Sequence, residues 1–109
     1  MISWSGGSDY LGWYALAHAS QYQAAVFVVG GVPHHPGCPA KKQAAYFLMG
    51  SNDYRYESGQ PSQVRAIYSG CHDPTKLVVL PGADHQGTAD ALTTKGYAAK
   101  IMKWVVKHS

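Results

Sequence analysis

Three side chains that can together activate a hydroxyl group follow separate apolar stretches of the sequence. They are Ser5, Asp53 and His85. Ser5 lies in Ser3-Trp4-Ser5-Gly6-Gly7, a small-x-Ser-x-Gly pattern typical of a nucleophile elbow, the sharp strand-to-helix turn that exposes a serine hydroxyl. The same pattern occurs by chance where a serine simply begins a helix. Its interpretation therefore depends on where the acid and the histidine lie relative to the serine.

The residues around Ser5 have types that suit acyl transfer. Gly6 can bring its backbone amide close to a developing oxyanion, and the helix that follows directs its positive end to the same place. Trp4 either lines an acyl pocket or packs under the turn. Tyr10 and Asp9, one turn into the helix, either border the site or form an exposed first turn in which a carboxylate is favourable.

The pattern of apolar residues predicts the elements that must position these side chains. Met1 to Trp4 is typical of the end of a strand, and three apolar runs are typical of strands buried on both faces. These runs are Ala24 to Val29, Ala44 to Met49 and Lys76 to Leu80. Helices are predicted over residues 7–20, 61–69 and 88–108. The alternation predicts an α/β fold with a mostly parallel sheet of about four strands and helices on both faces, in a single domain over residues 1–109.

The ends of the predicted strands bring the three reactive side chains together. In an open parallel sheet, functional groups collect beyond the carboxyl ends of the strands. Ser5 follows the first strand, Asp53 the third and His85 the fourth, so Ser5 is predicted to be the nucleophile, His85 the base and Asp53 the acid that orients it. Asp73 and Asp84 are the alternative acids. Asp73 precedes the last strand, at the opposite end of the sheet, and Asp84 adjoins His85 and should point elsewhere.

With these motifs in the chain order Ser, Asp, His, the whole sequence resembles the C-terminal half of an α/β hydrolase, from the nucleophile elbow onward. The matching motifs are Trp4-Ser5-Gly6-Gly7, the acid turn Gly50-Ser51-Asn52-Asp53, and His85. Their compact spacing is similar to that of the dienelactone-hydrolase, feruloyl-esterase and polyhydroxybutyrate-depolymerase branches. The resemblance implies a serine carboxylesterase that hydrolyses small, accessible short-chain esters through an acyl-enzyme, without a metal or an organic cofactor.

The sequence departs from the family pattern in two places. Ser3 stands where family members more often have glycine. The family's first four strands, and the loop that supplies its second oxyanion amide, have no counterpart in this sequence. The alternative function is therefore a non-catalytic α/β-hydrolase fragment or assembly module without a complete oxyanion hole. The strand that carries Ser5 should also lie at an edge of the sheet, which favours a homo-oligomer, most often a two-fold dimer.

Cys38 and Cys71 each lie a few residues before a predicted strand. If those strands are neighbours, both cysteines lie at the end of the sheet opposite the reactive side chains, where a disulfide is the first candidate. A zinc site is the competing interpretation, with ligands drawn from His34, His35, Cys38, Cys71 and His72. Its spacing matches no known zinc finger. Two free thiols are the third alternative.

Composition argues against several other classes of protein. The net charge of +3 is modest and the lysines are spread along the chain, so nucleic acid is not an expected partner. No apolar run is long enough to span a membrane, and no charged-then-apolar leader suggests a signal peptide in this chain. A flavodoxin-like binding domain would need a phosphate-binding loop after the first strand, for which Gly6-Gly7-Ser8-Asp9 is poorly suited. The pattern does not predict a compartment.

Overall fold

The computed structural model describes residues 1–109 and contains one four-stranded sheet. The strands are β1 (Ile2–Trp4), β2 (Ala24–Val28), β3 (Ala44–Gly50) and β4 (Thr75–Leu80). They lie side by side in the order β1-β2-β3-β4, and all three pairs are parallel. The predicted α/β class and parallel sheet are therefore confirmed, and β1 lies at one edge of the sheet.

The helices follow the strands, but the helix predicted over residues 7–20 is α-helical only as far as Tyr14, and the helix predicted over residues 88–108 is divided in two. They are α1 (Gly6–Tyr14), α2 (Tyr54–Glu57), α3 (Gln60–Gly70), α4 (His85–Thr94) and α5 (Tyr97–His108), with a 3-10 turn at Leu16–His18. The single helix predicted over residues 88–108 is wrong, because Gly96 adopts a left-handed conformation with φ of 73° between α4 and α5. Only glycine takes that conformation without steric cost, so the chain turns there and begins a second helix. No helix is both long and apolar enough to cross a membrane.

Alternating side chains of β2 and β3 fill two separate cores, one on each face of the sheet. Phe27 and Phe47 stack at a centroid distance of 4.7 Å and pack against α1 and α3. Val28 and Leu48 point to the other face, where Ile101 of α5 covers them. Every residue of β3 is buried, which requires the continuous apolar run seen in the sequence. The sheet is therefore the rigid centre from which the loops at its carboxyl edge project.

Cys38 and Cys71 are joined by a disulfide at the amino-terminal edge of the sheet, with their Cα atoms 5.3 Å apart. Cys38 lies in the loop between β2 and β3, and Cys71 ends α3 just before β4. Both sulfur atoms are bonded to each other, so neither is a free thiolate for the zinc alternative, although His35 lies beside them. The disulfide holds the loop between β2 and β3 at the end of the sheet opposite Ser5.

Candidate active site

Ser5 occupies a strained turn between β1 and α1. Its φ of 52° lies in the left-handed region, which is rare for a residue other than glycine and is a recurrent feature of functional sites. The turn is held from below, because the Ser5 amide donates to the carbonyl oxygen of Val28 at 2.9 Å. Gly30 packs against the same turn. A Cβ at this position would lie 2.5 Å from the Ser5 carbonyl oxygen, so only glycine fits there. The tight packing beneath the turn leaves the Ser5 hydroxyl on its outer side.

Ser3 takes part in the same packing, although the family pattern favours glycine at this position. Its hydroxyl donates to the carbonyl oxygen of Val26 at 2.9 Å and lies 2.7 Å from the hydroxyl of Ser8. The buried Ser8 hydroxyl contacts the backbone of Val28. These hydrogen bonds satisfy small polar side chains in a space without room for larger ones, so the serine at this position is compatible with the turn.

Asp53 lies just beyond β3 and is fully buried. One carboxylate oxygen, Oδ1, accepts a hydrogen bond from the backbone amide of Arg55 at 2.8 Å, which also caps the start of α2. The other, Oδ2, lies 2.7 Å from Nδ1 of His85. Both oxygens therefore have partners, and the buried carboxylate is fixed in one orientation.

His85 is the first residue of α4, which begins before the helix predicted over residues 88–108. Since the Asp53 carboxylate can only accept, Nδ1 of His85 carries the proton, and its Nε2 is left to accept from the Ser5 hydroxyl at 2.9 Å. The tautomer is thus assigned from its two partners. Ser5, His85 and Asp53 form one continuous hydrogen-bonded chain at the carboxyl edge of the sheet.

The two alternative acids are occupied elsewhere. Asp84 caps α4 and accepts from the backbone amide of Gly87 at 2.7 Å. Asp73 lies before β4 and accepts from the amide of Gln43 at 3.1 Å. Burial raises the pKa of the Asp73 carboxyl above its ordinary value, against the opposing effects of the Gln43 amide and of Lys42. Neither carboxylate is bonded to His85.

Aromatic rings flank the imidazole of His85. The ring centroids of Trp4 and His85 are 4.9 Å apart, and those of Tyr54 and His85 are 5.4 Å apart. Tyr54, which sequence reasoning missed, is held there because it directly follows Asp53. Tyr10 is 66% exposed and stacks on Tyr14, so it borders the region rather than lining a pocket. None of the four cavities in the structure is lined by Ser5, Asp53 or His85, and the His85 side chain is 24% exposed.

The backbone around Ser5 offers one evident donor for an oxyanion. Gly6 is the first residue of α1, where amides have no partner within the helix and the helix dipole is positive. A Cβ at Gly6 would meet no atom within 4 Å, so this residue is not crowded by its neighbours. The role of the Gly6 amide as oxyanion donor stays a prediction.

An ion pair beside the site was also missed by sequence reasoning. The guanidinium of Arg55, on α2, bonds to the carboxylate of Asp9, on α1. The side chains are 26% exposed each. The sequence places Asp9 either at the border of the site or in an exposed first turn, and it does not single out Arg55, because nothing in their spacing shows that the two helices meet.

Comparison with known proteins identifies the fold. No protein-family model matches the sequence, and no curated protein matches it significantly. Two solved structures nonetheless share its architecture, and the chain has the α/β-hydrolase fold in a half-length form.

One of these structures is a carboxylesterase from Bacillus cereus, with a TM-score of 0.70 and 17% identity over 99% of this chain. The other is a putative dienelactone hydrolase from Klebsiella pneumoniae subsp. pneumoniae MGH 78578, with a TM-score of 0.67 and 20% identity over 96% of this chain. This chain spans only 49% and 50% of their lengths. At such identities the likeness establishes the fold, and the chemistry has to be argued from the site.

Proposed function

We propose that this protein is a serine carboxylesterase that hydrolyses small, accessible short-chain esters. The observation that supports the proposal most directly is the hydrogen-bonded chain from the Ser5 hydroxyl through His85 to the buried Asp53. A strained serine, a histidine with a defined tautomer and a buried acid are what general-base activation of a hydroxyl needs. The half-length match to a carboxylesterase and a dienelactone hydrolase is consistent with this chemistry.

The proposed reaction passes through an acyl-enzyme. Ser5 Oγ attacks the ester carbonyl carbon while Nε2 of His85 takes the hydroxyl proton, and Asp53 stabilises the resulting imidazolium. The carbonyl oxygen becomes an oxyanion that accepts from the Gly6 amide. The tetrahedral intermediate collapses, and His85 returns the proton to the departing alcohol. Water then enters, gives a proton to His85 and attacks the acyl carbon, and the acid leaves as Ser5 recovers its proton.

The open surface around Ser5 determines which esters we expect to react. Without an enclosed cavity at the nucleophile, a long acyl chain gains little burial, whereas a short acyl group needs only the rings of Trp4 and Tyr54 beside it. Gly6 is the one donor that we assign to the oxyanion, which also limits the expected rate, because one missing donor typically costs about two to three powers of ten in kcat. We therefore expect activity on activated short-chain esters and slow turnover.

A chromogenic ester series tests the proposal. The wild-type protein should hydrolyse p-nitrophenyl acetate and butyrate faster than the decanoate, and a serine-reactive organophosphonate should stop the reaction and add to Ser5, as peptide mass spectrometry would show. Ser5→Ala is the matched control for contaminating esterases. An inert wild-type protein that does not react with the organophosphonate would favour the alternative of a non-catalytic assembly module, for which the half-length match to the solved structures is the specific observation.

A further inference from the structure

Hydrogen bonds around the site close into a ring that includes more than the three proposed catalytic residues. Ser5 contacts His85, and His85 contacts Asp53. Asp53 accepts from the Arg55 amide, and the Arg55 guanidinium bonds to Asp9. The Asp9 amide donates to the Ser5 carbonyl oxygen at 3.1 Å, which completes the ring. Outside the Ser5–His85–Asp53 chain, the Asp9–Arg55 pair is the side chain–side chain link in this ring.

The two members of the pair are held at several points. The second Asp9 oxygen, Oδ1, accepts from the Gly31 amide at 2.9 Å, so Asp9 also contacts the loop that follows β2. Arg55 is held at both ends, by its backbone amide on Asp53 and by its guanidinium on Asp9. Its Nε atom is buried without a partner. The Arg55 guanidinium therefore lies beside the site with one hydrogen-bond donor unsatisfied, and its ion pair with Asp9 compensates for that loss.

We propose that the Asp9–Arg55 pair is a positioning device that fixes the distance between the Ser5 elbow and the Asp53 turn during turnover. This inference rests on the proposed esterase function. When His85 has taken the serine proton and the serine oxygen is bonded to the acyl group, Nε2 becomes the donor and passes its proton to the departing alcohol, so the Ser5–His85 hydrogen bond no longer holds the two turns together. The elbow and the acid turn belong to β1 and β3, which are not neighbours in the sheet. The ion pair is the contact that joins them directly while the catalytic chain is open.

A double-mutant cycle tests the pair. The variants are Asp9→Asn, Arg55→Met and the double variant, with Arg55→Lys as the conservative replacement. Asp90→Asn and Arg65→Met are matched controls, because Asp90 contacts Gln86 on α4 and Arg65 contacts Thr75, both outside the ring. The measured quantities are KM, kcat per organophosphonate-titrated site, and the urea midpoint.

Each single variant should lower kcat per titrated site by about 10- to 100-fold with KM nearly unchanged, since a misplacement of about 1 Å costs up to about 100-fold. The double variant should be no worse than the poorer single variant, and Arg55→Lys should recover part of the rate. The two control variants should keep the wild-type kcat. A purely structural role would lower the urea midpoint and the number of titratable sites, but it would leave kcat per titrated site unchanged.

Three results would overturn the proposal: unchanged kcat in both single variants, losses that simply add in the double variant, or a change confined to KM. If Arg55→Met fails to fold, the comparison of Arg55→Lys with Asp9→Asn carries the test. Failure of the esterase function is separately visible, because Ser5→Ala would then match the wild-type rate. A dead Ser5→Ala with fully active Asp9 and Arg55 variants would refute the positioning role alone.

Discussion

Removing the disulfide should destabilise the fold without damaging the proposed active site. The perturbation is the double substitution Cys38→Ser and Cys71→Ser, which avoids a reactive single thiol. The bond joins residues separated by 33 positions in the sequence. In the chain-entropy model, a loop of that length lowers the entropy of the unfolded chain by about 12 cal/mol/K, or about 4 kcal/mol at 25 °C. A typical domain is stable by only about 5–15 kcal/mol, so the loss is a large fraction of the total.

Urea denaturation of the wild-type and double-serine proteins measures this loss as a shift of the midpoint. Wild-type protein in a thiol reductant should behave like the serine variant, and the slope of the transition reports any change in the surface exposed on unfolding. The initial rate of ester hydrolysis in dilute buffer should remain within about twofold of wild type, because the disulfide and Ser5 lie at opposite edges of the sheet. The urea midpoint thus reports on the disulfide, and the rate of ester hydrolysis reports on the site around Ser5.

Titration of thiols in the unfolded, unreduced protein decides whether the bond exists in solution. Two titratable thiols per chain would refute it. A stability loss below about 1 kcal/mol with the bond present would instead refute the loop-entropy argument, and would mean that the loop between β2 and β3 is already restricted in the unfolded chain.

Three further predictions concern catalysis, charge and assembly. Ser5→Ala and His85→Ala should each abolish esterase activity while Asp53→Asn costs less, as measurements of kcat would show; a silent Asp53→Asn beside a damaging Asp84→Asn would reassign the acid. The pKa of Asp73 is raised in the folded state, so ionisation of this carboxyl lowers the free energy of unfolding at pH values above that pKa. Asp73→Asn should therefore raise the urea midpoint at pH 7. This gain should vanish below about pH 3.8, where the carboxyl is protonated in both the folded and the unfolded state. Finally, β1 pairs only with β2, so its other edge is open, and Ile2 on this strand is 63% exposed. We therefore expect a two-fold dimer that buries about 1,000 Å² or more. Light scattering should find this dimer, whereas a fully active monomer at nanomolar concentration would contradict both the dimer and a role for it in activity.

The sequence by itself determined the architecture and predicted the candidate catalytic residues. Continuous apolar runs such as Ala44 to Met49 allow only a strand buried on both faces, and alternation with helical segments makes the sheet parallel. Parallel strands end at a common edge, so the residues after them meet. Ser5, Asp53 and His85 were found in this way, and the structure brings all three into one hydrogen-bonded chain.

Local conformation was less well determined at the end of the chain. The prediction of one helix over residues 88–108 overlooked Gly96, which adopts a left-handed conformation that ends one helix and starts another. The lysine directly before this glycine offers no distinct stop signal, and helical periodicity continues on both sides. A pattern that repeats across a glycine does not reveal whether the glycine is part of the helix or turns the chain.

Only the tertiary structure decided what surrounds the reactive chain. The Asp9–Arg55 pair joins helices whose residues are 46 positions apart, and Tyr54 faces His85 because Asp53 fixes the turn between them. Such contacts depend on the position of each helix relative to the carboxyl edge of the sheet. The packing of the whole core sets that position. Periodicity and residue type report which face of an element is buried, because burial is a local property of the pattern. They do not report which polar groups meet across that face, because those distances are fixed only when the chain has folded.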